Sequence, residues 1–300
     1  MRLATIKKPS SLSWSRILMT LYPILYEPII RAALAEDLGL AGDVTTETVV
    51  PENTRATARL VARTPGRIAG LSASLSAFSL LDPTLNVRIL VADGDDVLAH
   101  TTLAEIFGFA RPILTAERTA LNLLGRLCGI ATATRAVVEK IEGLHTRIVC
   151  TRKTTPGLRA LEKYAVRVGG GANHRFGLDD GVLIKDNHLA AAGGVRKAVE
   201  GVRARLGHMV KVEVEVDTLT QLRELLTLDV DAVLLDNMPS ENLQRAVEMV
   251  GGRIITEASG GVTPENVRAV AESGVDLISL GWLTHSVKNF DVGLDFVVEE

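Results

Sequence analysis

An α/β architecture follows from three features of this sequence. Short apolar strands alternate with helical segments over residues 147–280, one long helical stretch precedes them at residues 114–141, and polar side chains gather where nearly every strand ends. Strand–helix repetition predicts a parallel sheet, either closed into a barrel or spread open. The strand ends favour the barrel. Reactive side chains fall at residues 151–153, 185–188, 213–217, 236–237, 257–261 and 279–281. Such residues converge on the C-terminal rim of a barrel, whereas an open sheet collects them mainly at its switch point.

Before the repeat, apolar residues recur with helical period at Ile29, Ile30, Ala33, Leu34 and Leu38, and Gly39 closes the segment. Residues 54–110 carry short or alternating apolar runs, punctuated by Pro65-Gly66, Asp82-Pro83 and Asp93-Gly94. They predict a small, mostly antiparallel α+β unit with a helix near residues 72–81. In the long helix, Leu121, Leu124, Leu127 and Cys128 form one face. Gly125 and Gly129 on it predict a close contact or a break. Later helices are expected at residues 158–168, 195–206, 219–226, 240–250 and 264–272, the last started by Thr263-Pro264-Glu265 as cap, first-turn proline and first-turn acid.

Composition excludes several function classes. A chain of 300 residues with 47% hydrophobic and 23% charged residues can bury a core without metal or disulfide staples. Its net charge of -3 gives no general attraction to nucleic acid or to an anionic membrane. The two cysteines, Cys128 and Cys150, have no metal-binding spacing and suit a reducing compartment as buried small hydrophobes. The first 26 residues hold four basic side chains and no acid, followed by an apolar stretch at residues 17–25. That stretch is too short to span a bilayer and lacks a small-residue cleavage site, so residues 1–25 read as a disordered extension of a cytoplasmic protein.

Charge inside the barrel locates the chemistry. Residues 210–217 alternate strictly between apolar and charged, so Glu213, Glu215 and their charged neighbours share one face. With helices covering the outer face, the acids must point into the mouth, where they need a cation or a ligand. Arg152, Lys153, Arg167, His174, Arg175 and Lys185 crowd one stretch of a net acidic chain. Cations about 4 Å apart repel by roughly 4 kcal/mol at an effective dielectric near 20, so a ligand rich in carboxylate or phosphate is expected. Ser259-Gly260-Gly261 and Ser279-Leu280-Gly281 suit phosphate through freed amides and a helix N-terminus. Glu215 or Asp236 beside such a site suggests magnesium. His174, His188 and His285 have no zinc spacing.

Four stretches together, residues 116–122 (AERTALN), 151–154 (TRKT), 169–175 (GGGANHR) and 183–188 (LIKDNH), resemble the quinolinate phosphoribosyltransferase family from about Tyr26 onward. The resemblance implies an N-terminal α/β sandwich at residues 26–129, completed by residues 285–300, and a partly open seven-unit α/β barrel at residues 130–284. It implies phosphoribosyl transfer from phosphoribosyl pyrophosphate to quinolinate with loss of carbon dioxide, in a magnesium-dependent homodimer with shared active sites; assembly beyond the dimer stays open. Arg118 would reach the neighbouring subunit's quinolinate. Thr151, Arg152, His174 and Arg175 would hold that substrate, and Lys153 and Lys185 would lie between it and the pyrophosphate. Glu215 and Asp236 would approach the ribose and the metal, while Ser259, Gly260, Gly261, Ser279, Gly281 and His285 would hold the 5-phosphate.

Trp282 departs from the family pattern, which has a small residue there, and its bulk could crowd the phosphate loop or pack against the N-terminal unit. Rival readings are a transferase of the same fold acting on another pyridine acid, a metal-dependent barrel hydrolase and a non-catalytic binding barrel. The missing histidine spacing disfavours the hydrolase, and acids facing bases disfavour the binding barrel.

Overall fold

The structure is a computed structural model that describes residues 20–298. In chain order its elements are α1 (Pro23–Leu38), α2 (Val44–Val49), β1 (Arg55–Ala62), β2 (Gly66–Arg67), α3 (Leu71–Leu81), β3 (Asn86–Ile89), β4 (Asp96–Val97), β5 (Thr102–Phe109) and α4 (Ala110–Lys140). They continue as β6 (Arg147–Val149), α5 (Arg159–Val168), β7 (Val182–Ile184), α6 (Asp186–Ala192), α7 (Val195–Arg203), β8 (Val212–Val216) and α8 (Leu219–Leu225). The last are β9 (Ala232–Asp236), α9 (Ser240–Val250), β10 (Ile255–Ser259), α10 (Val267–Glu272), β11 (Leu277–Ser279), α11 (Trp282–His285) and β12 (Val292–Val298). Among the described residues no helix is long and apolar enough to cross a membrane.

Two corrections concern helix starts. Of the extension expected at residues 1–25, residues 1–19 lie outside the described residues, but α1 already begins at Pro23. Proline suits that place, because the first helical N–H has no partner to lose. The helix expected from Pro264 begins instead at Val267. Residues 263–266 form a turn in which Asn266 Oδ1 accepts the Thr263 amide at 2.8 Å, so the chain is capped from below before the helix can start.

The first layer is an antiparallel sheet in the order β12-β1-β5-β3. Its C-terminal strand pairs with β1 from Ala56↔Val298 to Ala62↔Val292, so the end of the chain returns to the beginning. Helices α3, α4 and α1 cover this sheet with a core that includes Phe78, Leu124 and Ile30. Asp93 accepts the amides of Gly70 and Leu71 to cap α3, and also the Tyr164 hydroxyl at 2.7 Å, which ties α5 to the N-terminal unit.

The second sheet is parallel, in the order β6-β11-β10-β9-β8-β7. Beyond β6, Ala172 makes an isolated parallel bridge to Val149, the remnant of a seventh strand position. Within β8, Val212, Val214 and Val216 are wholly buried against the surrounding helices, which directs Glu213 and Glu215 into the barrel. The 129/130 division drawn from the sequence falls inside α4, whose 31 residues run unbroken. Its Leu124 and Leu127 belong to the first core and its Val137 to the second, while α5 of the barrel packs into the first.

Gly125 and Gly129 leave α4 intact and mark a close approach. Residues 288–290 cross the helix there, and Phe290 N–H donates to the Gly125 carbonyl at 2.8 Å. A Cβ on Gly129 would stand 2.4 Å from the Lys288 carbonyl oxygen, a backbone atom that cannot swing away. Gly129→Ala should therefore lower the unfolding free energy by about 1–3 kcal/mol in a denaturant titration. Gly201→Ala in α7, where a Cβ meets nothing within 4 Å, should raise it by roughly 0.5–1 kcal/mol. Equal signs for the two variants would contradict the packing described.

Candidate active site

A cleft of about 750 Å³ opens where the parallel strands end. Thr151, Arg152 and Lys153 follow β6, His174 and Arg175 follow the Ala172 bridge, and Lys185 follows β7. Glu215 comes from β8, Asp236 and Asn237 from the end of β9, Glu257 and Ser259 from β10, and Ser279 from β11. The loops at Gly260-Gly261 and Gly281, with His285 of α11, complete the wall. Every residue assigned a site role lies on this cleft except Arg118, which is exposed on α4; Arg167, Glu213 and His188 are not among its lining residues.

The loop at residues 151–155 is held from behind. Glu162, fully buried in α5, accepts from Arg126 Nη2 at 2.9 Å, from Thr155 N–H at 3.1 Å and from Thr155 Oγ1 at 2.8 Å. Thr284 Oγ1 donates to the Lys153 carbonyl at 2.7 Å, which fixes the loop to α11. Lys163, only 2% exposed, donates to the His174 carbonyl at 2.9 Å and to Cys150 Sγ at 3.1 Å. A buried lysine so placed joins the β6 end to the residue 173–175 loop.

The two arginines are poised for anions. Arg152 Nε and Arg175 Nε are both buried without a hydrogen-bond partner. Burial and the nearby Arg152 charge push the Arg175 guanidinium below its ordinary value, although Nη1 donates to the Gly181 carbonyl at 2.8 Å. Two close cations with unused donors can be satisfied by a carboxylate ligand. Across the cleft Lys185 Nζ stands 3.8 Å from Glu215 Oε2. Burial raises the Glu215 carboxyl above its ordinary value; the Lys185 charge opposes this, and the Asp236 charge adds to it. Burial likewise raises Asp236, opposed by its hydrogen bond from Asn237 and reinforced by Asp217.

His174 has both ring nitrogens engaged inside the chain. Nδ1 accepts the Arg175 amide at 2.7 Å, and Nε2 meets Glu213 Oε2 at 2.9 Å. Burial lowers the imidazole's proton affinity, but Glu213 and Glu257 more than offset it and leave it raised, while the Arg175 amide favours the neutral ring. His174 thus orders the turn that aims Arg175. Glu257, 1% exposed, has Oε1 at 3.7 Å from His174 Nε2 and no hydrogen bond to it. Burial and the Glu213 charge push its carboxyl up to about 7. Neighbouring Ser279 Oγ is also without a hydrogen-bond partner. His174, Glu213 and Glu257 offer three atoms within 4.8 Å, a spacing a cation could use, and the direct His174–Glu213 bond already joins two of them.

The strand-end reading left Glu257 and Asn237 without a role; Asn237, with φ of +52°, lines the cleft just after β9. The Asp-Asn pair at a strand end was a usable signal, since Asn tolerates the left-handed region better than most residues. Trp282 neither fills the phosphate loop nor reaches the N-terminal unit: it packs on the barrel core and Nε1 donates to the Val262 carbonyl at 3.1 Å. His188 turns away from the cleft and accepts the Lys185 amide at 2.9 Å through Nδ1.

Glu257 gives a pH test of this arrangement. Its folded value lies above the ordinary 4.5, so its share of stability is full below about pH 4.5 and is lost as pH rises through about 7. Glu257→Gln has no such proton to lose. Its melting temperature minus that of the unsubstituted protein should grow between about pH 5 and pH 8, and parallel curves would refute the buried protonated carboxyl.

Comparisons with known proteins identify the framework that carries this cleft. Residues 43–128 match the family described as quinolinate phosphoribosyl transferase, N-terminal domain, and residues 130–295 match its C-terminal domain. The nicotinate-nucleotide pyrophosphorylase [carboxylating] of Mycobacterium leprae is 46% identical over 271 residues, spanning 89% of this chain and 95% of that protein. A quinolinate phosphoribosyltransferase [decarboxylating] of Nicotiana tabacum is 41% identical over 289 residues, spanning 90% and 82%. Among solved structures, NadC from Streptococcus pyogenes superposes with a TM-score of 0.90 at 38% identity, covering 94% of this chain and 99% of that one. The nicotinate-nucleotide pyrophosphorylase of Ehrlichia chaffeensis gives a TM-score of 0.88 at 39% identity, covering 91% and 98%. With both domain matches in order along one continuous chain, this protein belongs to the quinolinate phosphoribosyl transferase family.

Proposed function

We propose that this protein transfers phosphoribosyl from phosphoribosyl pyrophosphate to quinolinate and releases carbon dioxide, yielding nicotinate mononucleotide for de novo NAD synthesis. The observation that carries the reading is the pair of buried, unpartnered arginine Nε groups at one end of a cleft whose other end holds two carboxylates raised by burial. A planar diacid satisfies the first end and a sugar pyrophosphate the second.

Arg152 and Arg175 hold the two substrate carboxylates together with Thr151, and His174 aims Arg175. Lys153 and Lys185 lie where the pyrophosphate departs, so their charge stabilises the leaving group as the C1–O bond breaks. Glu215 and Asp236 face the ribose, which becomes cation-like in that step, and stabilise it from the other side. Once the ring nitrogen has bonded to C1 it is positive. The electron pair of the adjacent carbon–carboxylate bond then passes toward the ring as carbon dioxide leaves, and a proton takes the vacated place. Glu215 and Asp236 also fit magnesium: both are oxygen donors raised by burial and by neighbouring acids, and magnesium is commonly held by one or two carboxylates plus substrate phosphates. When bound, the ion supplies charge neutralisation of the pyrophosphate.

Arg118, exposed on α4, is assigned to the quinolinate of a second subunit in a homodimer with shared sites. The two cysteines are buried and unpaired, which suits a cytoplasmic protein.

Purified protein with quinolinate, phosphoribosyl pyrophosphate and magnesium should release pyrophosphate and carbon dioxide in equal amounts, and a chelator should stop both until magnesium is restored. No turnover, or equal turnover with nicotinate, would overturn the assignment. Arg118→Ala and Lys185→Ala should each lower kcat/KM by about a hundredfold or more, yet regain part of it when mixed and allowed to exchange subunits. Inactive mixtures would remove the shared site.

A further inference from the structure

The loop after β10 has an unusual arrangement of donors. Gly260 and Gly261 take φ of +85° and +61°, and among the described residues the amides of Gly260, Gly261 and Val262 have no acceptor. All three residues line the cleft. The helix that follows begins only at Val267 and spans six residues, so the anion-binding character of this loop rests on its own amides.

Two side-chain donors fix the carbonyls of this loop. Asn266 Nδ2 donates to the Gly261 carbonyl at 3.1 Å, and Trp282 Nε1 donates to the Val262 carbonyl at 3.1 Å. In a planar trans peptide the C=O of one residue and the N–H of the next point in opposite directions, and among the described residues there are no cis peptides. Holding the Gly261 carbonyl therefore turns the Val262 amide the other way, and holding the Val262 carbonyl fixes the Thr263 amide, which Asn266 Oδ1 accepts at 2.8 Å. Trp282, Thr263 and Asn266 thus form one relay of hydrogen bonds. Because Trp282 directly follows Gly281, the relay also sets the spacing between the two glycine loops.

We propose that Trp282 and Asn266 are positioning residues that hold the Gly261–Thr263 segment, and with it the Val262 amide, on a phosphate group, and so determine how tightly the phosphoribosyl donor binds. The inference rests on the function proposed above only for the identity of that donor. Losing one hydrogen bond of this kind weakens binding by about fivefold.

Trp282→Phe keeps an aromatic ring and removes the N–H. It should raise KM for phosphoribosyl pyrophosphate about fivefold while kcat and KM for quinolinate stay within about twofold. Asn266→Ala should do the same. The double variant should lose less than the product of the single losses, because both act through one relay. Calorimetric titration with ribose 5-phosphate alone should show the same weakening in each variant, and it needs no turnover. If the unsubstituted protein fails to act on quinolinate, the function proposed above falls, and this titration still decides the relay. Unchanged ribose 5-phosphate affinity in Trp282→Phe, an equal rise in quinolinate KM, or independent losses in the double variant would overturn it.

Discussion

Because helices cover the outside of the parallel sheet, the charged residues of its strands must be accommodated inside it. Val212, Val214 and Val216 take the outer, apolar side of β8, and Glu213 and Glu215 are thereby committed to the interior. An inward carboxylate is costly unless something answers it. Glu213 is answered by His174 and Glu215 by Lys185, while burial and the Glu213 charge raise the Glu257 carboxyl. The cleft is the consequence of these pairings: Glu213 and Glu215 each meet a base, and Arg152 and Arg175, whose Nε groups are unpartnered, are left for a ligand.

Such a site works only if its loops stay in place, and the fold supplies a second, deeper set of contacts for that purpose. Arg126 on α4, Glu162 on α5 and Thr155 on the first loop share one buried carboxylate, with the remaining oxygen also accepting a hydrogen bond. A buried ion pair is tolerable when its lone pairs are used in this way. The same helix α4 carries both cores, and the C-terminal segment crosses it at Gly125 and Gly129 before β12 joins the N-terminal sheet. The barrel mouth is therefore referenced to the other unit through a continuous helix.

The phosphate end follows a different rule from the carboxylate end. There the chain uses backbone amides, which bring no side-chain entropy cost and no fixed charge. Two consecutive left-handed glycines provide them, and the Asn266 and Trp282 side chains hold the neighbouring carbonyls. A site that combines fixed cations, ionisable carboxylates and aimed amides can treat the parts of one reaction separately.

Much of this was written in the sequence. The period-2 pattern of residues 210–217, the alternation of strands and helices, and the basic side chains at strand ends specified a barrel with a charged mouth, because pleat and burial allow few other arrangements. The four motif stretches fixed the family. What the sequence did not reveal was the local geometry at the start of α1 at Pro23 and in the turn that replaces the expected helix start at Pro264, and one contact between distant segments, the bond from His174 to Glu213. Trp282 shows the reason most directly. Its bulk was legible as a departure, but whether an indole obstructs a loop or braces it depends on which carbonyl lies within 3.1 Å of its N–H, and only the packed chain determines that.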